Sequence, residues 1–409
     1  VICCLSWICA CADSQASSGA IEPNTATQLA EPNASSSLKD AALTDYQVEL
    51  LEVAYRSASK FPLEPHLKNR SRAQEAVVSA AFELDAPNRA LVYAEGIGNW
   101  RKGAGYADYA CYMAEHGHPA RVAKYIDLAT QVAKTTEDWR RRRIYAKIAR
   151  THLLGGQRAQ AEAIGEELAA GDAGPVQETR ASLASPEEFE TQLAWVNQAF
   201  TAGDLDQVRT ALSICVQLHD RCFDDVERRD SIEAMVVASM QKAPLILGIG
   251  TLLDLARTCL SHQHRARAAL LVARVEELIE NVEWLPEDKI PVVARKAQVQ
   301  FLAGAQEAAR AALEQMRALF WTKREVIVDI FRADALLPLA EAYQGNGDTQ
   351  SALVIYGLAL EEAVVNSNSR PRVDDLVAIC CSMATHGVRP PEALMKRIHA
   401  IETGLGAPW

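Results

Sequence analysis

The chain is 409 residues long, 49% hydrophobic but only 6% aromatic, and it carries a formal net charge of −11. Abundant Ala, Leu, Glu and Arg with so few aromatic residues favour helices over a β-sandwich or barrel. Residues 1–37 hold three acids (Asp13, Glu22, Glu31) and no Lys or Arg, which leaves −8 on the remainder. A mildly acidic body is a poor non-specific nucleic-acid binder, because phosphate contacts need a basic surface.

Val1 to Ala10 is an apolar run too short to span a bilayer, and it resembles the hydrophobic region of an export signal. Ile8-Cys9-Ala10-Cys11 is similar to a bacterial lipobox, although Cys9 departs from the commonest choice at its position. The resemblance implies lipidation of Cys11, an anchor that needs no transmembrane helix. Residues 12–37 are rich in Ser, Ala, Pro and Asn without apolar periodicity, and they read as a disordered tether. No later segment approaches a membrane span, so membrane attachment is expected only through that lipid. If the leader is spurious, the same body becomes a cytosolic adaptor.

Residues 38–102 read as an N-terminal helical cap with helices near 41–60, 67–84 and 87–99, punctuated by Pro62, Pro65, Pro87 and Gly96-Ile97-Gly98. From 103 to 370 the chain repeats a helical hairpin. The fullest copy spans Ala333 to Asn366. There Leu336, Leu339, Ala340 and Tyr343 recur at helical spacing, Gly345-Asn346-Gly347-Asp348 breaks the pattern, and Ala352, Tyr356 and Ala359 resume it. Pro338 removes a backbone donor, so the first helix is expected to begin near Leu336 or to bend there. Degenerate copies lie at 103–134, 142–174, 249–281 and 290–322, with a weaker one near 189–220. The last segment, 371–409, reads as a closing cap whose two helices are divided by Gly387-Val388-Arg389-Pro390-Pro391.

This pattern resembles the tetratricopeptide repeat, although starts at 249, 290 and 333 are further apart than the roughly 34 residues of that family. The resemblance implies an all-α fold, an α-solenoid of antiparallel hairpins coiled as a right-handed superhelix, whose first helices line a concave groove for a protein or peptide. Groove positions carried over one by one are Arg143, Arg150, Arg257, Gln298, Asp334, Glu341 and Gln344. The basic members lie in the earlier units and the acidic ones in the last, so a groove of divided charge is expected.

Other candidates carry weaker chemistry. Cys215 and Cys222 lie about 10 Å apart if one straight helix holds both, and they pair only if Leu218–Asp220 makes a turn. Cys111 and Cys259 occupy small apolar positions and read as buried thiols. His116-Gly117-His118 and His262-Gln263-His264 fall at matching turns; two His spaced by one residue can share a metal, but no further ligand is in view, and a solvated turn explains them better. Arg140–Arg143 after Trp139 reads as a solvated helix start beside Glu137 and Asp138. Glu287-Asp288, Asp224-Asp225 and Asp374-Asp375 read as acidic pairs favouring helix dipoles. Trp100, Trp139, Trp195, Trp284 and Trp321 read as packing between repeats, and Gly248-Ile249-Gly250 as a loop or tight helix contact.

No nucleophile elbow, phosphate loop, dinucleotide fingerprint or HExxH is present. The expectation is therefore a non-catalytic scaffold without cofactor or metal. The competing expectation is an all-α enzyme or ligand-binding domain with its site among the non-repeating helices of 175–248.

Overall fold

A computed structural model describes residues 39–168, 172–241 and 243–409. The leader, Cys11 and the whole of the tether lie outside these residues. The described residues are helical, with no strand among them. In chain order, α1 (Asp45–Ser59) leads into α2 (Leu67–Glu83), α3 (Pro87–Glu95), α4 (Arg101–Glu115), α5 (Pro119–Lys134), α6 (Asp138–Leu154) and α7 (Arg158–Gly165). Then come α8 (Gly174–Leu183), α9 (Phe189–Ala202), α10 (Leu205–Arg221), α11 (Val226–Ser239), α12 (Leu245–Ser261) and α13 (Arg265–Glu280). The last six are α14 (Pro286–Leu302), α15 (Gln306–Lys323), α16 (Asp329–Gly345), α17 (Thr349–Glu362), α18 (Ser369–Thr385) and α19 (Glu392–Thr403).

Seven turns are built alike, and they follow α2, α4, α6, α12, α14, α16 and α18. In each, one residue enters the left-handed region, and the next amide reaches back five residues to a carbonyl of the ending helix. The bonds are Ala86 N to Ala81 O, His118 N to Met113 O, Gln157 N to His152 O, His264 N to Cys259 O, Ala305 N to Gln300 O, Asp348 N to Tyr343 O and Val388 N to Met383 O, all 2.7–2.9 Å. The left-handed residue is glycine at 117, 156, 304, 347 and 387, and Asp85 or Gln263 in the other two. This Schellman closure satisfies carbonyls that the helix end would otherwise orphan, and it turns the chain back on itself.

The even-numbered helices pack on one another in succession from α2 to α18, whereas the odd-numbered ones pack mainly on even partners. The succession then returns to its start, because α18 packs on α2 and, more extensively, on α1. In a closed circuit the inner layer has the smaller circumference, so its members touch while the outer ones splay. The even helices are therefore the inner layer. Apolar burial agrees: the core of α1 to α3 is continuous with that of α8 to α19, whereas α4 to α6 has its own cluster.

Closure is made by named contacts. Gln47 Nε2 donates to Ala384 O at 3.0 Å, Arg56 grips Glu402 through Nε and Nη2 at 2.8 and 3.1 Å, and Arg72 Nη2 donates to Asp374 at 3.0 Å. Lys60 Nζ donates to the Glu402 carbonyl, His399 meets Glu49 at 2.8 Å, and Phe61 lies 5.4 Å from Trp409. α1 thus takes the outer place beside α18, and α19 packs only lightly on both.

Two local expectations change, and a third keeps only one of its alternatives. Pro338 lies well inside α16, which starts at Asp329 rather than near Leu336. The 189–220 copy is out of phase: α10 joins the inner layer beside α8 and α12, so α9 and α10 are an outer helix followed by an inner one. Gly203, left-handed at φ 73, and the Asp204 cap make that turn look like the others in sequence. Finally, Asp374 and Asp375 are not a dipole-facing pair at a helix start, because Asn368 caps α18 six residues before Asp374.

Candidate functional site

The seven residues expected to line a groove all lie on inner helices, and several bond across to the next inner helix. Arg150 Nη2 donates to Glu115 at 2.9 Å, Arg257 Nη2 to Gln298 at 2.8 Å, and the Ser382 hydroxyl to Glu341 at 2.7 Å. Gln344 instead accepts from Thr349 at 2.9 Å within its own hairpin turn. Arg143 is exposed, its guanidinium 5.9 Å from the ring centres of both Trp100 and Trp139. Asp334 faces the buried Asp375, whose proton it helps to hold.

Further rungs were not singled out from the sequence. Lys147 Nζ spans both oxygens of Asp108 at 2.6 Å, Arg101 meets Glu75 at 2.6 Å, and Arg295 meets Asp254 at 3.2 Å. Together with Arg72 and Asp374 they give the inner layer a ladder of mixed charge. The paired side chains keep part of their surface in water, for example 42% for Arg150 and 35% for Glu115.

The ladder is unbalanced where α2, α16 and α18 meet. Burial, reinforced by Asp334, Asp374 and Asp329, pushes the Asp375 carboxyl from 3.8 to about 8. Burial and the charge of Glu341 push Glu83 from 4.5 to about 7. Burial also raises Glu178 to about 7, against the pull of Ser213 and Arg150. Glu83, Asp334, Glu341, Asp374 and Asp375 make the meeting point of α2, α16 and α18 an acidic sector of the inner layer.

The other expectations resolve individually. α10 runs unbroken through Leu218–Asp220, and Cys215 and Cys222 are both free thiols. His262 is not simply solvated: it stacks on Phe223 at 4.1 Å and meets Asp220 at 2.9 Å. Trp100 and Trp139 pack edge to face between successive units at 5.4 Å, but Trp321 is 55% exposed beside α17. Gly248 is a tight helix contact, since a Cβ there would lie 2.4 Å from Met240 Cγ.

One buried cluster went unread. His219 on α10, Glu233 on α11 and Cys259 on α12 place their donor atoms within 4.8 Å of one another. His219 Nε2 lies 3.2 Å from Glu233 Oε1, and Arg267 on α13 binds the same carboxylate through Nε at 3.0 Å and Nη2 at 2.6 Å. Burial opposes the Glu233 charge, but His219 and Arg267 outweigh it and hold its carboxyl below the usual range. His219 Nδ1 has no hydrogen-bond partner. A buried polar atom left unpaired costs about 1–3 kcal/mol. Burial drives the Cys259 thiol up to about 11. Cys259 was legible only as a small buried residue, and an isolated His219 inside α10 gave no spacing signal.

No protein-family model matches the chain, and no curated protein matches it. What the fold defines is an all-α protein of successively packed helices. No helix among the described residues is long and apolar enough to cross a membrane.

Proposed function

We propose that this chain is a non-catalytic scaffold that holds a protein or peptide partner on its inner helical layer. In this reading the hairpins are tetratricopeptide-like, and a lipid on Cys11 tethers the molecule to the cell envelope. The observation that carries it is the ladder of mixed charge on successive inner helices, partly solvated along its length. An extended polar face suits a macromolecular partner better than a small molecule, which favours a concave and mostly apolar pocket. Charges of this kind steer association and exclude wrong partners more than they set affinity. The acidic sector of α2, α16 and α18 favours a basic stretch in the partner, and Arg143 with its tryptophans favours an acidic one.

Capture from an envelope fraction tests the reading. The parent chain is expected to retain a partner that Arg143→Glu loses and that Lys396→Glu, on the exposed side of α19, keeps. Equal capture by all three chains, or none by the parent, would sink it. Labelled palmitate incorporated by the parent and not by Cys11→Ala tests the tether separately.

A further inference from the structure

We propose that His219, Glu233 and Cys259 form a binding site for a thiophilic divalent cation of the zinc class. This stands apart from the scaffold reading and uses none of its residues. The three donors are a nitrogen, a carboxylate oxygen and a sulfur, the mixed set that a borderline-soft ion such as zinc accepts. They come from three different helices, so the backbone, not a flexible loop, sets their spacing. Tetrahedral coordination needs ligand atoms about 3.5 Å apart. The present separations of up to 4.8 Å therefore require only rotamer adjustments of about 1 Å.

The surroundings are those of a built site. His219 and Cys259 are fully buried and Glu233 is 8% exposed. His219 Nδ1 is unpartnered, which leaves this imidazole with one ring nitrogen uncommitted. Phe223 packs edge-on against the His219 ring at 5.7 Å and shields it on one side. Two cations face the cluster. Arg267 fixes the Glu233 carboxylate and is itself held by Asp230 at 2.7 Å, and Arg229 lies 3.5 Å from the same Asp230. Outer partners that orient a ligating carboxylate in this way are a regular part of metal centres. The thiolate and the Glu233 carboxylate supply the two negative charges that a divalent ion requires.

Binding would exchange three water ligands of the hydrated ion for Cys259 Sγ, a Glu233 carboxylate oxygen and a His219 ring nitrogen, and would break the Cys259 S–H bond, with the proton passing to water. No oxidant or co-reactant is needed.

Titration of the full chain with Co2+, the spectroscopic stand-in for zinc, decides the matter. One equivalent is expected to produce thiolate-to-cobalt charge-transfer absorption, and Zn2+ is expected to abolish it. Cys259→Ala and His219→Gln should lose the band, whereas Cys215→Ala, which removes a buried thiol on α10 outside the cluster, should retain it. Circular dichroism establishes that each variant is folded. A folded parent chain with no such band at excess Co2+ would overturn the proposal without recourse to any variant. So would a band that survives in folded Cys259→Ala, and in either case the cluster is only a buried ion-pair network around Arg267.

Discussion

At the scale of single residues, the molecule concentrates its electrostatic tension in α18. Asp375 is 5% exposed and is faced by three other carboxylates, so its neutral form is the native one over much of the accessible pH range. The unfolded chain releases that proton near pH 4 and the folded chain only near 8. Between those limits the native state binds more protons, so the Asp375 contribution to stability falls as pH rises and levels off above about 8. Asp375→Asn keeps the shape and removes the titration. Urea midpoints measured at pH 5 and pH 8.5 should differ less in the variant than in the parent. The variant should gain on the order of a few kcal/mol at the higher pH. An unchanged slope would place the tension elsewhere. This carboxylate was misread from sequence for a local reason: Asp374-Asp375 looks like a helix start until Asn368 is seen to cap the helix earlier. Charge burial is set by other helices: α16, which brings Asp329 and Asp334 from the preceding hairpin, and α2, which packs on α18 from far away along the chain.

At the scale of helices and turns, much was legible. Helices near 41–60, 67–84 and 87–99 were expected, and α1, α2 and α3 occupy nearly those limits. Turns that announce themselves with Gly, as at Gly117, Gly156, Gly304 and Gly347, fell where the apolar pattern broke, because only there does the chain need a left-handed residue. What stayed hidden was which hairpin a turn belongs to. Gly203-Asp204 has the chemistry of the other turns but joins an outer helix to an inner one. The shared closure makes a paired prediction. An added Cβ at Gly347 would meet nothing within 4 Å, so Gly347→Ala should lose about 1 kcal/mol through backbone strain alone. Gln263 already bears that strain at φ 59, and Gln263→Gly should therefore gain up to about 1 kcal/mol. Thermal melts of the two variants should move in opposite directions. Shifts of the same sign would show that loop packing, not the left-handed conformation, governs these turns.

At the scale of the whole molecule, the decisive feature is that the first and last of the described helices share one core. No local pattern encodes this, since α1 and α18 lie over 300 residues apart and each reads as an ordinary amphipathic helix. In an open array stability is a sum over neighbouring repeats, and damage at one end stays there. In a closed one the first and last helices should open together. Leu51, fully buried in α1, provides the test. Leu51→Ala should cost about 2–5 kcal/mol through lost apolar contact and the cavity left behind. Amide hydrogen exchange should then quicken in α18 as much as in α1 and α2, while α4 and α5, whose core cluster is separate, should change least. The buried Cys380 gives an independent readout, because opening of α18 would expose its thiol to labelling. If exchange instead quickens progressively from α1 through α2 and α4, leaving α18 and Cys380 protected, the circuit is not closed in solution. The contacts of Arg56 and Gln47 across the seam would then contribute little to holding it.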